Sequence, residues 1–170
     1  MMYALVHYPN VDTRHINQLR IKYDPQAKLI EPHITLMFPV SESIGDKDLI
    51  HHLKSILSNW QTFPIHLQGL QISSDDHLFL LIQEGNSRVI RLHDEIYTGI
   101  LTDYWRKDLP FVPHLTLGVL KKESNEYSLV FEEAKRLDID YYCMLDKLHL
   151  VKVNDDRSKI IWSKELTLAQ

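Results

Sequence analysis

The chain has a single cysteine, Cys143, among its 170 residues. An internal disulfide and a cysteine-based metal cluster are therefore excluded, and the composition predicts a reducing, cytoplasmic setting. No run approaches the roughly 20 apolar residues that a membrane-spanning helix needs, so no membrane association is expected. The apolar residues 1–6 have no basic segment before them and no small-residue cleavage pattern after them, which indicates a strand and not a signal peptide.

An excess of positive charge is also missing. The formal net charge is -4, whereas proteins that coat long nucleic acids depend on clustered Lys and Arg to neutralise phosphates. A nucleotide or the end of an RNA strand remains compatible with this charge. The length of 170 residues predicts one compact domain over residues 1–170. Oligomeric state has no signature in the sequence.

Histidine, in contrast, is abundant, and two of the 10 histidines share a sequence context. The pattern Pro-His-x-Thr-Leu occurs twice, at residues 32–36 and 113–117. Each copy lies in a strand-like apolar stretch, where residues two apart point to the same side. One copy alone would be typical of a buried structural histidine. The repetition favours a functional pair of motifs, each with its histidine and threonine on one face.

These side chains suit acid-base chemistry on a phosphodiester. In-line displacement needs a base on one side of phosphorus and an acid on the other, and histidine, with an ordinary pKa of about 6.5, can be either. Threonine hydroxyls can donate to the non-bridging oxygens. We therefore expect His33 and His114 to be catalytic, and Thr35 and Thr116 to bind phosphate. A metal site is less well supported, because neither histidine has a second ligand two positions later.

The periodicity of apolar residues predicts an α+β fold. Strands are expected at residues 3–8, 34–40, 63–72, 78–82, 114–120, 139–153 and 159–168. Helices are expected from residue 10 or 12 to about 23, and at 46–60, 87–103 and 124 or 125–137. A polar turn and an amphipathic helix follow both motif strands, which predicts two lobes related by a pseudo-twofold axis, with a motif strand at the centre of each lobe.

Paired H-x-T motifs in a chain of this size resemble the 2H phosphoesterase superfamily, which includes 2′-5′ RNA ligase-like proteins and cyclic phosphodiesterases. Residues 23–25, 29–30, 97–99 and 111–114 resemble its small bacterial single-domain members. The resemblance covers essentially the whole chain. It implies a bilobal pseudo-twofold fold, with two antiparallel sheets flanked by helices and a central groove.

The same resemblance implies action on 2′,3′-cyclic phosphates or 2′-5′ linkages, without a metal or other cofactor. It assigns the catalytic positions to His33, Thr35, His114 and Thr116. Several members have a basic residue soon after the second motif. This chain has residues 118–120, Gly-Val-Leu, in that place and offers no counterpart for that phosphate contact.

The loop before the second motif mixes aromatic and basic groups that can stack on a base and approach a phosphate. Its candidate substrate-binding residues are Tyr104, Trp105, Arg106 and Phe111. Packing at the end of a helix explains the same residues equally well. Tyr8 and Lys22 are weaker candidates, with a strand edge and a solvated helix as their simpler explanations.

Three functions remain open at this point. The leading hypothesis is a metal-independent phosphodiesterase that opens a 2′,3′-cyclic phosphate at an RNA end or on a small nucleotide. The second is 2′-5′ RNA ligation, the reverse reaction at the same site. The third is a protein that binds phosphorylated nucleotides without turning them over. The nearly identical motifs assign neither histidine to the acid or to the base role.

Overall fold

The computed structural model describes residues 2–41, 43–120 and 126–168, apart from the side chain of Glu126. The helices of this part of the chain are α1 (Arg14–Tyr23), α2 (Asp46–Leu57), α3 (Asn86–Ile96) and α4 (Glu126–Arg136). The strands are β1 (Met2–His7), β2 (Ile34–Ser41), β3 (Phe63–Ile72), β4 (His77–Ile82), β5 (His114–Val119), β6 (Asp140–Leu145), β7 (Lys147–Val153) and β8 (Ser158–Glu165). The predicted caps of α4, Ser124 and Asn125, lie outside the described residues. None of the helices just given is long and apolar enough to cross a membrane.

The strands form one antiparallel sheet in the order β6-β3-β4-β5-β2-β1-β7-β8. It has two halves of four strands, which meet where β2 pairs with β5 through Ile34 and Leu115. The predicted α+β fold is confirmed, and the two expected sheets are joined edge to edge. The motif strands β2 and β5 lie side by side at the inner edge of each half, and not at the centre of each lobe as expected.

The helices bury one face of this sheet. The apolar residues of both motifs point into the core and are fully buried: Ile34, Leu36, Leu115 and Leu117. The helix before each motif strand packs against the motif strand of the other half, since α1 contacts β5 and α3 contacts β2. This reciprocal packing gives the pseudo-twofold relation a physical basis and ties the two halves together.

Two predicted elements are divided in the structure. The helix expected at 87–103 stops at Ile96, and a 3₁₀-helix, Gly99–Tyr104, follows it. The first residue of this 3₁₀-helix has a φ of +53°, which a continuing α-helix does not allow. The strand expected at 139–153 is divided at Asp146, because β6 pairs with β3 in one half while β7 pairs with β1 in the other.

The start of α3 supplies a test of the fold. Gly85 has a φ of +81°, and an added Cβ would lie 2.6 Å from the carbonyl oxygen of Pro64 and 2.8 Å from Cγ2 of Ile65. We expect Gly85→Ala to lower the free energy of unfolding in urea by about 1–3 kcal/mol or more, from strain and overlap together. Gly45→Ala is the matched control, since its Cβ would meet nothing closer than 3.6 Å, and it should cost less than about 1 kcal/mol. Equal losses in both variants would contradict this account.

Candidate active site

The polar side chains of both motifs lie on the sheet face opposite the helices. Because Ile34 and Leu115 point into the core, the residues on either side of each must point the other way. The four side chains so placed are half-buried: His33, Thr35, His114 and Thr116. The antiparallel direction puts Thr116 opposite His33, and His114 opposite Thr35, if the Ile34–Leu115 register is continued. The structure thus brings together the four residues predicted to act on phosphate.

Both motif histidines are held in the same way. Nδ1 of His33 lies 2.8 Å from the carbonyl oxygen of Glu31, and Nδ1 of His114 lies 2.6 Å from that of Val112. A carbonyl oxygen can only accept a hydrogen bond, so Nδ1 carries the proton in each neutral ring. Within the described residues, Nε2 of neither ring has a hydrogen-bond partner. Each ring therefore presents a free nitrogen that can take up or release a proton.

A buried ion pair holds the segment that leads into His33. Arg20 and Asp24 approach to 2.8 Å, with side chains that are 2% and 5% exposed. Nη2 of Arg20 also donates to the carbonyl oxygen of Ile30, at 3.0 Å. Burial lowers the pKa of His33, the charge of Arg20 lowers it as well, and the hydrogen bond to Glu31 opposes both effects. The neutral form of His33 is thereby favoured.

His114 lies in a different environment. Its ring stacks on Phe79, with centroids 3.4 Å apart and an interplanar angle of 18°. Burial lowers the pKa of His114 to about 4; charges on His33 and His77 act in the same direction, and Asp75 opposes them. His114 is therefore neutral near pH 7. The influence of His33 on this pKa means that the two imidazoles interact electrostatically.

Tyr8 adds an aromatic ring to this face. Its ring centroid lies 6.3 Å from that of His33 and 5.2 Å from that of His149. His149 shares the face because it pairs with Val6, which in turn pairs with Thr35. From the sequence alone Tyr8 is only a weak candidate, since its position beside His33 depends on the pairing of β1 with β2.

Two of the predicted substrate-binding residues have packing partners away from the motifs. The hydroxyl of Tyr104 lies 2.8 Å from Oγ of Ser43. The ring of Phe111 stacks on that of His93, with centroids 3.7 Å apart. Neither contact involves the four motif side chains. A role for Tyr104 and Phe111 in binding substrate stays a prediction.

The charged candidates are paired with acids. Arg106 contacts Asp108 at 2.8 Å, next to Trp105, which is 43% exposed. Lys22 forms an ion pair with Glu133. In the described parts of the chain, no three His, Cys, Asp or Glu side chains come together as a metal ion would require. The binding roles of Trp105 and Arg106 also stay predictions.

Comparison with known sequences finds relatives along most of the chain. The family model of the 2′-5′ RNA ligase superfamily matches residues 8–157. A Bacillus licheniformis protein named "Putative phosphoesterase" is 28% identical over 167 residues, which are 95% of this chain and 96% of that protein. A Geobacillus kaustophilus protein of the same name is 29% identical over 156 residues, or 89% of this chain and 87% of that protein.

Solved structures show the same fold. LigT of E. coli in its apo form has a TM-score of 0.60 at 15% identity, and the match covers 98% of this chain and 97% of LigT. A crystal structure of a phosphoesterase has a TM-score of 0.58 at 13% identity and 98% coverage of both chains. Fold and relatives together define a phosphoester-acting enzyme of the 2H phosphoesterase class. The chain belongs to the 2′-5′ RNA ligase superfamily.

The electrostatics of the site can be tested by NMR titration. We expect His114 to be half-protonated at pH about 4, and its ring nitrogen shifts at pH 7 to report the neutral tautomer with the proton on Nδ1. In His33→Gln the midpoint of His114 should rise, since a positive neighbour that lowers its pKa is removed. Lys135→Gln, which removes an exposed charge on α4, is the control and should leave the midpoint unchanged. A midpoint at or above the ordinary value of about 6.5 would contradict this description.

Proposed function

We propose that this protein is a metal-independent phosphodiesterase that opens 2′,3′-cyclic phosphates at RNA ends or on small nucleotides. The observation that carries the proposal is the pair of His-Thr motifs on one face of adjacent antiparallel strands. Each motif offers an imidazole anchored through Nδ1, with Nε2 free. Two such imidazoles and two hydroxyls are the groups that in-line displacement at phosphorus requires.

The low pKa of His114 favours the base role for this residue, because a group that is neutral across most of the pH range can accept a proton. Nε2 of His114 takes a proton from water while the water oxygen forms a bond to phosphorus. The bond from phosphorus to one ribose oxygen breaks, and that oxygen takes the proton from Nε2 of His33. Thr35 and Thr116 donate hydrogen bonds to the non-bridging oxygens. The product is a ribose phosphomonoester.

His33 must be protonated to act as the acid, although burial lowers its pKa in the free protein. A bound phosphodiester supplies the missing stabilisation, because its negative charge favours the imidazolium form. Substrate binding therefore moves the pKa of His33 toward the acid role. Among proteins of this fold, LigT of E. coli has been crystallised with phosphate and with 3′-AMP, which supports a nucleotide phosphate as the ligand here.

Ligation of 2′-5′ linkages is the second candidate, favoured by the family to which the chain belongs. The same groups would serve it, with His114 taking a proton from the attacking RNA hydroxyl in place of water and His33 protonating the ribose oxygen that leaves phosphorus. Water competes with an RNA hydroxyl for the same step. The products formed from an RNA with a cyclic phosphate, with and without a second RNA end, distinguish hydrolysis from ligation.

Substitution of the motif residues tests the mechanism. We expect His33→Gln and His114→Gln each to lower kcat/KM on 2′,3′-cyclic nucleotides by about 10²- to 10⁴-fold, the usual effect of one positioned proton transfer. Thr35→Val should cause a smaller loss, and Thr35→Ser, which keeps the hydroxyl, should restore most of it. His51→Gln, on the exposed side of α2, is the control. All activities should resist EDTA.

Three results would contradict the proposal in different ways. Activity that is lost in EDTA and restored only by a divalent ion would contradict the metal-independent mechanism. Tight binding of nucleotides without turnover would make the protein a binding module. Full activity in either histidine variant would show that the reaction takes place elsewhere on the molecule.

The pH dependence follows from the two histidines. His114 must be neutral, so kcat/KM should fall below pH about 4, where this residue becomes protonated. His33 must be protonated, and its pKa in the free protein lies below the ordinary value of about 6.5. We therefore expect a bell-shaped profile of kcat/KM with an acidic maximum, between about pH 4 and 6.5. A maximum above neutral pH, or a profile without titrating groups, would count against this pair of roles.

A further inference from the structure

A cavity of about 600 Å³ adjoins the candidate site on the side of His33. We call it the side cavity; its walls include Tyr8, Leu29, Ile30, Glu31, Ser158 and Ile160. This volume lies within the range of roughly 300–1,000 Å³ that is typical of small-molecule sites. The cavity is formed by residues 27–32, by residues between 8 and 13 that follow β1, and by the start of β8.

The walls of the side cavity are held in place by contacts within the chain. Beneath it, Ile30 packs with Ala4, Val6 and Val151 in a small apolar cluster separate from the main core. Arg20 fixes one wall through the carbonyl oxygen of Ile30, at 3.0 Å. Oγ of Ser158 donates to the carbonyl oxygen of Leu29 and ties β8 to the same wall. A preformed cavity of this kind requires little reordering when a ligand enters.

The side cavity lies next to the first motif, which contains His33. Two of its lining residues, Glu31 and Pro32, directly precede His33. A third, Tyr8, places its ring centroid 6.3 Å from that of His33. A group bound against Tyr8 is therefore next to a phosphate held by the motif. His114, stacked on Phe79, lies on the other motif strand and is not among the lining residues of the side cavity.

We infer that the side cavity binds the nucleobase of the nucleotide whose phosphate is held by His33, Thr35, His114 and Thr116. This inference rests on the proposed function. The lining combines an aromatic ring and aliphatic side chains, which suit the faces of a flat heterocycle, with polar groups at the rim. Those polar groups are the Tyr8 hydroxyl, the Glu31 carboxylate and the Lys28 ammonium, which match the donors and acceptors on the edge of a base.

The same arrangement determines how a bound nucleotide is oriented between the two histidines. A nucleoside bound in the side cavity places its ribose between the cavity and the phosphate, on the side of His33. The ribose oxygen that leaves phosphorus is then closer to His33, and water approaches from the side of His114. The side cavity thus favours substrates whose base is attached to the ribose that carries the phosphate, over phosphodiesters that lack a base.

The test compares ligands with and without a base. Binding of 3′-AMP and of ribose 3-phosphate is measured by calorimetry on the whole chain, and turnover is measured with adenosine 2′,3′-cyclic phosphate and with methyl riboside 2,3-cyclic phosphate. The variant Ile160→Trp fills the cavity from its rim, where Ile160 is 46% exposed. Tyr8→Leu removes the aromatic wall. Leu129→Trp, at a site on α4 that is 68% exposed, is the control for an added indole.

We expect the wild-type protein to bind 3′-AMP at least about tenfold more tightly than ribose 3-phosphate, a gain typical of one stacked base. The ratio of the affinity for 3′-AMP to the affinity for ribose 3-phosphate should fall toward one in Ile160→Trp and in Tyr8→Leu. It should be unchanged in Leu129→Trp. Equal binding of both ligands by the wild-type protein, or a ratio that survives both cavity variants, would overturn the inference.

The two proposals can fail separately. Base-dependent binding that Ile160→Trp abolishes, without turnover of either cyclic phosphate, would support the side cavity as a base site and reject the phosphodiesterase. Turnover of both cyclic phosphates at equal efficiency, unchanged by Ile160→Trp, would keep the phosphodiesterase and reject the base site.

Discussion

The antiparallel contact between β2 and β5 is the constraint on which the rest of the site depends. It joins the two halves of the sheet through Ile34 and Leu115. Because side chains alternate along a strand, burial of these two residues forces the histidines and threonines of both motifs onto the opposite face. The core therefore fixes the orientation of the site. A shift of one residue in either strand would bury two polar side chains and expose two apolar ones.

The sequence was sufficient to predict the α+β fold, from the periodicity of its apolar residues, and to place the histidine and threonine of each motif on one face, from their spacing of two. It was not sufficient to predict which strands pair. Residues 139–153 form an apolar extended run, and only the distant partners β3 and β1 divide it at Asp146. The end of α3 depends likewise on the backbone at Gly99, whose φ is +53°. Local periodicity does not record either feature.

For candidate residues away from the motifs, the sequence likewise did not predict the tertiary contacts. Tyr104 and Phe111 looked suited to a base because they are aromatic, and in the structure their partners are Ser43 and His93. Tyr8 looked like the edge of a strand, and it lies beside His33. Residue type indicates what a side chain can contact, but only the tertiary fold decides what it does contact. The position of the H-x-T residues is less ambiguous, because the repeat relates two segments that are distant in the sequence.

The two motifs are nearly identical in sequence, yet their surroundings differ. Nδ1 of each histidine is held by the carbonyl two residues before it, so the anchoring is symmetric. Beyond this anchor, His33 lies near the Arg20–Asp24 pair and the side cavity, whereas His114 stacks on Phe79 near His77. Displacement at phosphorus needs one group that takes up a proton and another that gives one up. A symmetric fold supplies the two imidazoles, and their unequal neighbours give them different surroundings, which in the proposed mechanism allows one duplicated motif to serve two different steps.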